Sequence, residues 1–350
     1  MAIDMVQVFK AAVAGRASDV VITAGSPPIF RINGEMVLGQ HPPLAPEQSK
    51  AMVYDVLRPE QIARFEQQKE LDFSLTVEGV NRFRGNAFFQ RGAVGAAFRL
   101  IPDRVSPLKD LGLPPVLEEF ALSAMGLVLV TGPTGHGKST TLAGMINVIN
   151  ESKKVHIVTV EDPIEFLHRN KKAVIEQREV GDDTMSFANA LKHVMRQAPD
   201  VILVGEMRDP ESIGAAITAA ETGHLVLATV HTNDSVQAVD RLIDVFPSHQ
   251  QNQIRAQLSM SLLAVVAQRL LKTTDGRSRV VACEVLRNNA AVANLIRDGK
   301  THQIYTIMET HAREGMITLD ASLKGLYLTG QIAFEDAKRR MRNPALLEKL

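Results

Sequence analysis

Residues 127–150 read LVLVTGPTGHGKSTTLAGMINVIN, and this stretch decides the fold of the larger part of the chain. Its first residues are apolar and predict a buried strand, whereas the residues after Lys138 favour a helix. Between strand and helix, residues 132–139 match the pattern G-x-x-x-x-G-K-[ST], which requires that structural context. The sequence therefore predicts a phosphate-binding loop within an α/β domain.

The residue types in this loop suit a nucleoside triphosphate. The glycines let backbone N–H groups turn toward phosphate oxygens, and the helix N-terminus adds the positive end of its dipole. Lys138 is expected to neutralise charge on the β- and γ-phosphates, and Ser139 to offer its hydroxyl to Mg²⁺. The residues predicted to bind ATP are those of the whole loop, namely Gly132, Pro133, Thr134, Gly135, His136, Gly137, Lys138, Ser139 and Thr140.

Three further apolar runs, VHIVTVED, DVILVGEM and LVLATVH, alternate with helical stretches after the loop. This alternation is typical of strands that are buried on both faces of a parallel sheet. Residues 250–272 and those from Ala290 onward are interpreted as helical. Residues 116–350 are thus predicted to form one α/β domain whose C-terminal part, from about residue 285, is helical.

Strand ends in this domain carry residues that could act on a nucleotide. Glu206 ends the run DVILVGEM at the sheet edge where parallel sheets bind ligands, so it could hold Mg²⁺ and water. Glu161 ends the run VHIVTVE and could orient or deprotonate the attacking water. His224 and His231 bracket the fourth strand; we expect both at this same edge, where they could sense the γ-phosphate.

The first hundred residues have a different pattern. Residues 1–16 are predicted to form an amphipathic helix, and Asn33-Gly34 lies between two apolar runs, which is a hairpin signal. Residues 71–100 alternate apolar and polar side chains, as antiparallel strands do. The sequence predicts a small mixed α/β domain over residues 1–100, followed by a proline-rich, fairly stiff linker over residues 101–115.

Composition excludes several classes of protein. Lysine plus arginine equal aspartate plus glutamate at 39 each, so no global charge points to nucleic acid or to an anionic membrane surface. Cys283 is the only cysteine, which excludes an internal disulfide framework and a cysteine-cluster zinc site. Asp4 and Lys10 interrupt the N-terminal apolar residues, so we expect no signal peptide. No run of the sequence approaches the roughly 20 apolar residues that a membrane span needs, so we expect no span.

Four stretches resemble, in order, the Walker A, Asp, Walker B and His boxes of the secretion ATPase superfamily. They are GPTGHGKST, VEDPIEF, PDVILVGEMRD and TGHLVLATVHTNDSVQAVDRLIDVFP. The stretches ASDVVITAGSPPIFRINGE and AVANLIRDGKTHQIYTIME are similar to those of its retraction ATPases, which act on type IV pili. The resemblance covers essentially the whole chain. It implies a PAS-like N-terminal domain and a RecA-like ATPase domain.

The resemblance also implies a function and partners. It implies a homohexameric, ATP-hydrolysing motor of twitching motility, cytoplasmic and peripheral at the inner membrane. This ring would dock on the pilus platform protein, touch the membrane only through that partner and bind no nucleic acid. By motif, Lys138, Ser139 and Thr140 would bind the phosphates and Mg²⁺. The other residues that match family positions are Glu161 as water activator, Glu206 as Mg²⁺ support, His224 and His231 as couplers to the ring, and Arg84 and Arg99 as arginines that reach the triphosphate.

The sequence departs from the family pattern at three places, of which SDVV, where the family usually has SDLH, is interpreted as a difference in packing only. His136 stands where the family usually has serine, but this position contributes backbone, so nucleotide binding is expected to survive. The C-terminal motif that the family ties to retraction reads AVANLIRD here, over residues 291–298, and lacks its first arginine at Ala293. Leu295 and Ile296 of this motif are expected to transmit motion rather than to perform chemistry; the alternative is that they are ordinary core residues of a helix.

Other functions stay open at this point. Within the superfamily, the alternatives are an accessory retraction ATPase and an extension or secretion ATPase, although the latter usually carry a tetracysteine zinc site. From other classes, one alternative is a nucleic-acid translocase, against which the neutral charge and the lack of a basic-aromatic stretch speak. The other is a structural ring that binds nucleotide without hydrolysing it. The carboxylates of Glu161 and Glu206 argue against that reading.

Overall fold

The structure, a computed structural model, describes residues 4–348 and divides them into two compact units. One unit extends to Arg104 and includes Glu165–Leu167, and the other contains the remaining residues. The predicted linker is therefore wrong for residues 105–115, which belong to the second unit. Leu108 and Leu113, which lie between the prolines, are buried in that unit's core. Removing their apolar surface from water lowers the free energy of the folded chain.

The N-terminal unit is a mixed α/β domain, as predicted. Its elements are α1 (Met5–Ala14), β1 (Asp19–Ile22), β2 (Ile29–Ile32), β3 (Glu35–Leu38), α2 (Pro46–Tyr54), α3 (Pro59–Gln68), β4 (Glu70–Val77), β5 (Asn81–Gln90) and β6 (Ala93–Leu100). The strands form one antiparallel sheet in the order β3-β2-β1-β6-β5-β4.

Local signals in the sequence account for the start of this unit. The Asp4 side chain caps α1 by accepting a hydrogen bond from the Gln7 N–H at 2.7 Å. Phe9 on the buried face of α1 stacks on Phe83 of the sheet, with ring centroids 4.0 Å apart. The predicted hairpin is confirmed, since residues 33 and 34 both have positive φ, 52° and 87°, as a type I′ turn requires.

The second unit contains the phosphate-loop pattern and the C-terminal helices. Its first elements are α4 (Val116–Ala121), β7 (Gly126–Thr131), α5 (Lys138–Ser152), β8 (His156–Glu161), β9 (Val174–Glu179), α6 (Phe187–Val194), β10 (Val201–Val204), α7 (Pro210–Glu221) and β11 (Leu225–Val230). They are followed by α8 (Ser235–Asp244), α9 (Ser248–Ser261), β12 (Leu262–Lys272), β13 (Arg279–Arg287), α10 (Ala290–Arg297), α11 (Ile304–Thr310), α12 (Leu319–Leu328), α13 (Phe334–Lys338) and α14 (Ala345–Glu348).

The sheet of this unit has the order β13-β12-β7-β11-β10-β8-β9. Every neighbouring pair is parallel except β12 and β13, and separate apolar cores lie against the two faces of the sheet. A strand with both faces covered has a continuous apolar sequence. This is why the sequence predicts β7, β8, β10 and β11. None of the described helices has the length and apolar content that crossing a bilayer requires.

The helical interpretation of residues 250–272 is wrong in its second half. Residues 262–272 form β12, which lies parallel to β7 in the sheet. The strand follows α9 directly, with no glycine or proline between them, and its leucines, alanine and glutamine favour helices in isolation. Burial between the two helical layers selects the strand over this local preference.

The expected role of the C-terminal motif also changes. Ile296 on α10 is completely buried in the core, and Leu295 packs partly against it. Substituting these two residues would therefore change stability before it changed motion. The exposed residues of the motif are Asn294, Arg297 and Asp298.

Candidate active site

The direction of the strands brings most of the predicted site residues to one edge of the sheet. Strands β7, β8, β10 and β11 run parallel, so the residues that follow them meet at their common carboxyl edge. The phosphate loop, Glu161, Glu206 and His231 all lie there, at or just after the ends of these four strands.

His224 lies at the opposite edge, so the expectation of a shared edge for the two histidines is wrong. Its carbonyl accepts a hydrogen bond from Gly126 N, at the start of β7, at 3.0 Å. Its imidazole Nδ1 lies 3.0 Å from the Ala219 carbonyl oxygen. His224 precedes β11 and His231 follows it, and a strand of 6 residues separates its ends by about 20 Å.

The phosphate loop has a backbone that only glycine adopts without strain. Gly132, Gly135 and Gly137 have φ values of 143°, 77° and 84°. At Gly132 a Cβ atom would lie 2.4 Å from the carbonyl oxygen of Gln268 on β12. The loop therefore needs glycine there for close packing against the next strand as well as for its turn.

The loop ends in the first turn of α5, where backbone N–H groups have no acceptor within the helix. Lys138 begins this helix and is only 8% exposed. Its Nζ donates hydrogen bonds to the carbonyl oxygens of Gly132 at 2.8 Å and Pro133 at 3.1 Å. These bonds hold the ammonium group inside the loop, beside the N–H groups that would receive phosphate.

The side chain of His136 has a role that the sequence did not indicate. Its Nδ1 accepts a hydrogen bond from the Leu270 N–H of β12 at 3.0 Å. Burial, and then the positive charges of Arg269 and Lys138, lower the pKa of His136 below its ordinary value. The position therefore contributes its side chain as well as its backbone.

Glu161 is held by two donors at the end of β8. Its Oε1 accepts hydrogen bonds from the Thr159 hydroxyl at 2.7 Å and from Gln177 Nε2 of β9 at 3.2 Å. Such bonds fix the direction of a half-buried carboxylate. A fixed carboxylate at the same sheet edge as a phosphate loop can orient water and accept its proton.

Glu206 is 16% exposed and lies between two nitrogen donors. Its Oε1 is 2.8 Å from Arg208 Nη2, and its Oε2 is 3.4 Å from His231 Nε2. Burial and the charge of Lys138 lower the pKa of His231, against the opposing effect of Glu206. A neutral imidazole that carries its proton on Nε2 can donate that proton to Glu206. Arg208 is not among the residues predicted from the sequence, although a positive charge so close to a carboxylate in GEMRD is a visible signal.

Comparison with known proteins matches this geometry to a family. The family model for type II/IV secretion system proteins matches residues 5–329. The chain belongs to that family. It is 50% identical over 316 residues to the twitching motility protein of Neisseria gonorrhoeae, covering 90% of this chain and 84% of the relative. It is 47% identical over 328 residues to the type IV pilus retraction ATPase PilT of Pseudomonas aeruginosa, covering 94% and 95%.

A solved structure has the same fold. The crystal structure of the pilus retraction motor PilT with bound ADP is 45% identical and has a TM-score of 0.91. The match covers 99% of this chain and 100% of that one. These similarities confirm the predicted α/β fold and the resemblance to the retraction ATPases of type IV pili.

Two further residues that the sequence analysis assigns to the site lie in the N-terminal unit. Arg84 on β5 and Arg99 on β6 are direct cross-strand partners, so both side chains are on the same face of the sheet. Arg99 Nε donates to Asp19 Oδ1 at 3.0 Å. Within residues 4–348 the exposed side chain of Arg84 has no hydrogen bond or ion pair. The structure thus brings the two arginines together and leaves Arg84 able to bind an anion.

Proposed function

We propose that this protein is the ATP-hydrolysing motor that powers retraction of type IV pili. The observation that carries the proposal is one sheet edge that holds a phosphate loop, a buried lysine and two oriented carboxylates. The loop explains nucleotide binding, and Glu161 and Glu206 add the groups that hydrolysis needs. Relatives that are named for twitching motility and pilus retraction identify the machine that uses this energy.

Each group has a separate role in the proposed reaction. Loop N–H groups and Lys138 bind the β- and γ-phosphates, where fixed positive charge favours the transition state. Glu161 orients the attacking water and takes its proton. His231, through its contact with Glu206, would report the state of the γ-phosphate to the rest of the ring.

Magnesium fits this site through oxygen donors. The Ser139 hydroxyl and the Glu206 carboxylate are the hard ligands that Mg²⁺ prefers, and the ion usually keeps several waters and phosphate oxygens as its other ligands. Residues 4–348 contain no cluster of three or more histidine, cysteine or acidic side chains that could hold a metal by itself. Bound Mg²⁺ would neutralise phosphate charge, so its binding is expected to depend on the nucleotide.

We also propose that the motor is a homohexamer on the cytoplasmic side of the inner membrane. It would dock on the platform protein of the pilus and touch the membrane only through that partner. Arg84 and Arg99 of one subunit would reach the triphosphate bound by its neighbour. An arginine supplied in this way can raise the rate by about 10³-fold or more.

The functional test is a chromosomal Glu161→Gln substitution in the native host. We expect cells with excess surface pili and no twitching, because pili would extend but not retract. A Glu151→Gln strain, altered in an exposed carboxylate at the far end of α5, is the matched control and should twitch normally. Loss of pili would contradict a role in retraction and indicate a role in extension. Reduced but persistent twitching would indicate an accessory ATPase. Normal twitching by a strain whose purified Glu161→Gln protein has lost ATP turnover would indicate a ring that does not need hydrolysis.

The shared site is tested by mixing two inactive variants. Arg84→Ala subunits keep the loop, and Lys138→Ala subunits keep the arginine. In a random equal mixture about a quarter of the boundaries would combine both intact groups, so ATPase activity should recover toward that fraction. The measurement is phosphate release across mixing ratios, with co-assembly established by a tag on one variant.

The control for this experiment is Arg91→Asn, which removes an exposed arginine from the β5–β6 turn of the same unit. Asparagine tolerates the positive φ of 51° at this position, so the turn should be kept. Arg91→Asn subunits should be active without mixing. Mixtures of co-assembled Arg84→Ala and Lys138→Ala subunits that are inactive at every ratio would contradict the shared site.

A further inference from the structure

Gln268 of β12 connects the phosphate loop to the helix that follows it. Its side chain is only 2% exposed. Nε2 donates to the His136 carbonyl oxygen at 2.7 Å, and Oε1 accepts from the Thr141 hydroxyl of α5 at 2.8 Å. One buried amide therefore has both of its polar atoms engaged by the loop and by the first turn of its helix.

Strand β12 approaches the loop at more than this one residue. The Leu270 N–H donates to His136 Nδ1, so the strand holds both the carbonyl and the ring of His136. At Gly137 a Cβ atom would lie 3.1 Å from Gln268 Nε2. The loop thus rests on β12 through its backbone, and a shift of β12 would move it.

We propose that Gln268 is a positioning residue for phosphate binding, with His136 as its partner in the loop. The peptide bond between residues 136 and 137 is planar, so its C=O and N–H groups point in opposite directions. Because Gln268 holds the His136 carbonyl toward β12, the N–H of Gly137 points away from the strand. That direction keeps the amide available to phosphate and keeps the carbonyl oxygen from repelling it.

This role of Gln268 rests on the proposed nucleotide site but predicts a separate effect on the kinetics. Gln268 touches no substrate, so its loss should weaken nucleotide binding and leave the chemical step nearly intact. A glutamine that only filled the core would lower stability without this separation. A higher KM with a nearly unchanged kcat therefore indicates positioning, whereas a loss of stability alone indicates packing.

The test uses Gln268→Leu and Gln268→Glu. Leucine removes both hydrogen bonds, and glutamate keeps an acceptor for Thr141 but places an oxygen against the His136 carbonyl. Both variants should raise the KM and Kd for ATP by about tenfold, as one or two misplaced hydrogen bonds would do. The kcat at saturating ATP should remain within about threefold of the unaltered protein. Gln257→Leu is the control, because Gln257 Nε2 donates at 2.7 Å to Glu221 on α7, away from the loop.

A pH profile supplies a second measurement that packing alone would not move. His136 accepts the Leu270 N–H only while Nδ1 is unprotonated. The charges that face it are Arg269 of β12, Lys138 of α5, Arg279 of β13 and Arg340 after α13, and all of them oppose its protonation. ATP affinity should therefore fall only in acid, below the usual histidine range. The His136→Ser variant should lack this part of the pH dependence.

The possible results distinguish failure of the role given to Gln268 from failure of the proposed function. If the unaltered protein hydrolyses ATP, and the stably folded Gln268 variants bind ATP with normal affinity, the positioning role is wrong and the function stands. A fall in kcat without a change in KM would also contradict it. If the unaltered protein itself neither binds nor hydrolyses ATP, the proposed function fails first.

Discussion

Replacing Glu161 with glutamine is expected to lower ATP turnover by at least about 100-fold while ATP binding remains. Glutamine has the same shape and keeps one oxygen that can accept the Thr159 hydroxyl. It cannot take a proton from the attacking water, and general-base catalysis contributes about 10²–10⁴-fold. Phosphate release measures the loss, and a fluorescent ATP analogue measures binding on the same preparation.

The purified Glu151→Gln variant is the control for this measurement. Glu151 pairs with Lys171 on the surface, and such pairs contribute little to stability. Its turnover should equal that of the unaltered protein. If Glu161→Gln turns over ATP normally and Glu206→Gln does not, the base is Glu206, and the role given to Glu161 is wrong.

Sequence alone predicted the parts of this site that depend on neighbours in the chain. The loop between residues 132 and 139 follows from its glycines and lysine, and β7, β8, β10 and β11 follow from apolar runs. Glu161 ends β8 and Glu206 follows β10, so the direction of these strands places both at the predicted edge. The same reasoning, carried through for His224, would have placed it at the other edge, since it precedes β11.

The remaining parts of the site depend on contacts between distant parts of the chain. Gln177 reaches Glu161 because β9 is parallel to β8, and a short polar strand gives no periodic signal for that pairing. Gln268 reaches the loop across 132 positions of sequence, and β12 itself has helix-favouring composition. Burial in the sheet overrides that preference, and burial is a property of the whole fold. The sequence therefore predicts the chemical groups better than it predicts the residues that hold them in place.

Lys138→Ala is expected to abolish turnover and to weaken ATP binding by at least about 100-fold. Lys138 is the only lysine of the loop, and its ammonium group neutralises the carbonyl oxygens of Gly132 and Pro133. Without it, phosphate oxygens would face those carbonyl oxygens with no positive side chain between them. The measurements are ATP affinity, phosphate release and melting temperature.

Lys153→Ala distinguishes lost phosphate binding from lost folding. Lys153 follows the other end of α5, and its Nζ likewise donates to two backbone carbonyl oxygens, those of Leu122 at 2.7 Å and Ser123 at 3.0 Å. Both substitutions remove an ammonium group that bridges two carbonyls, so their structural costs should be similar. Only Lys138 lies in the loop, so only Lys138→Ala should lose ATP binding, and its melting temperature should be close to that of Lys153→Ala. If both variants lose it, the loss reflects damage to α5. Normal ATP affinity in a folded Lys138→Ala protein would mean that phosphate binds elsewhere.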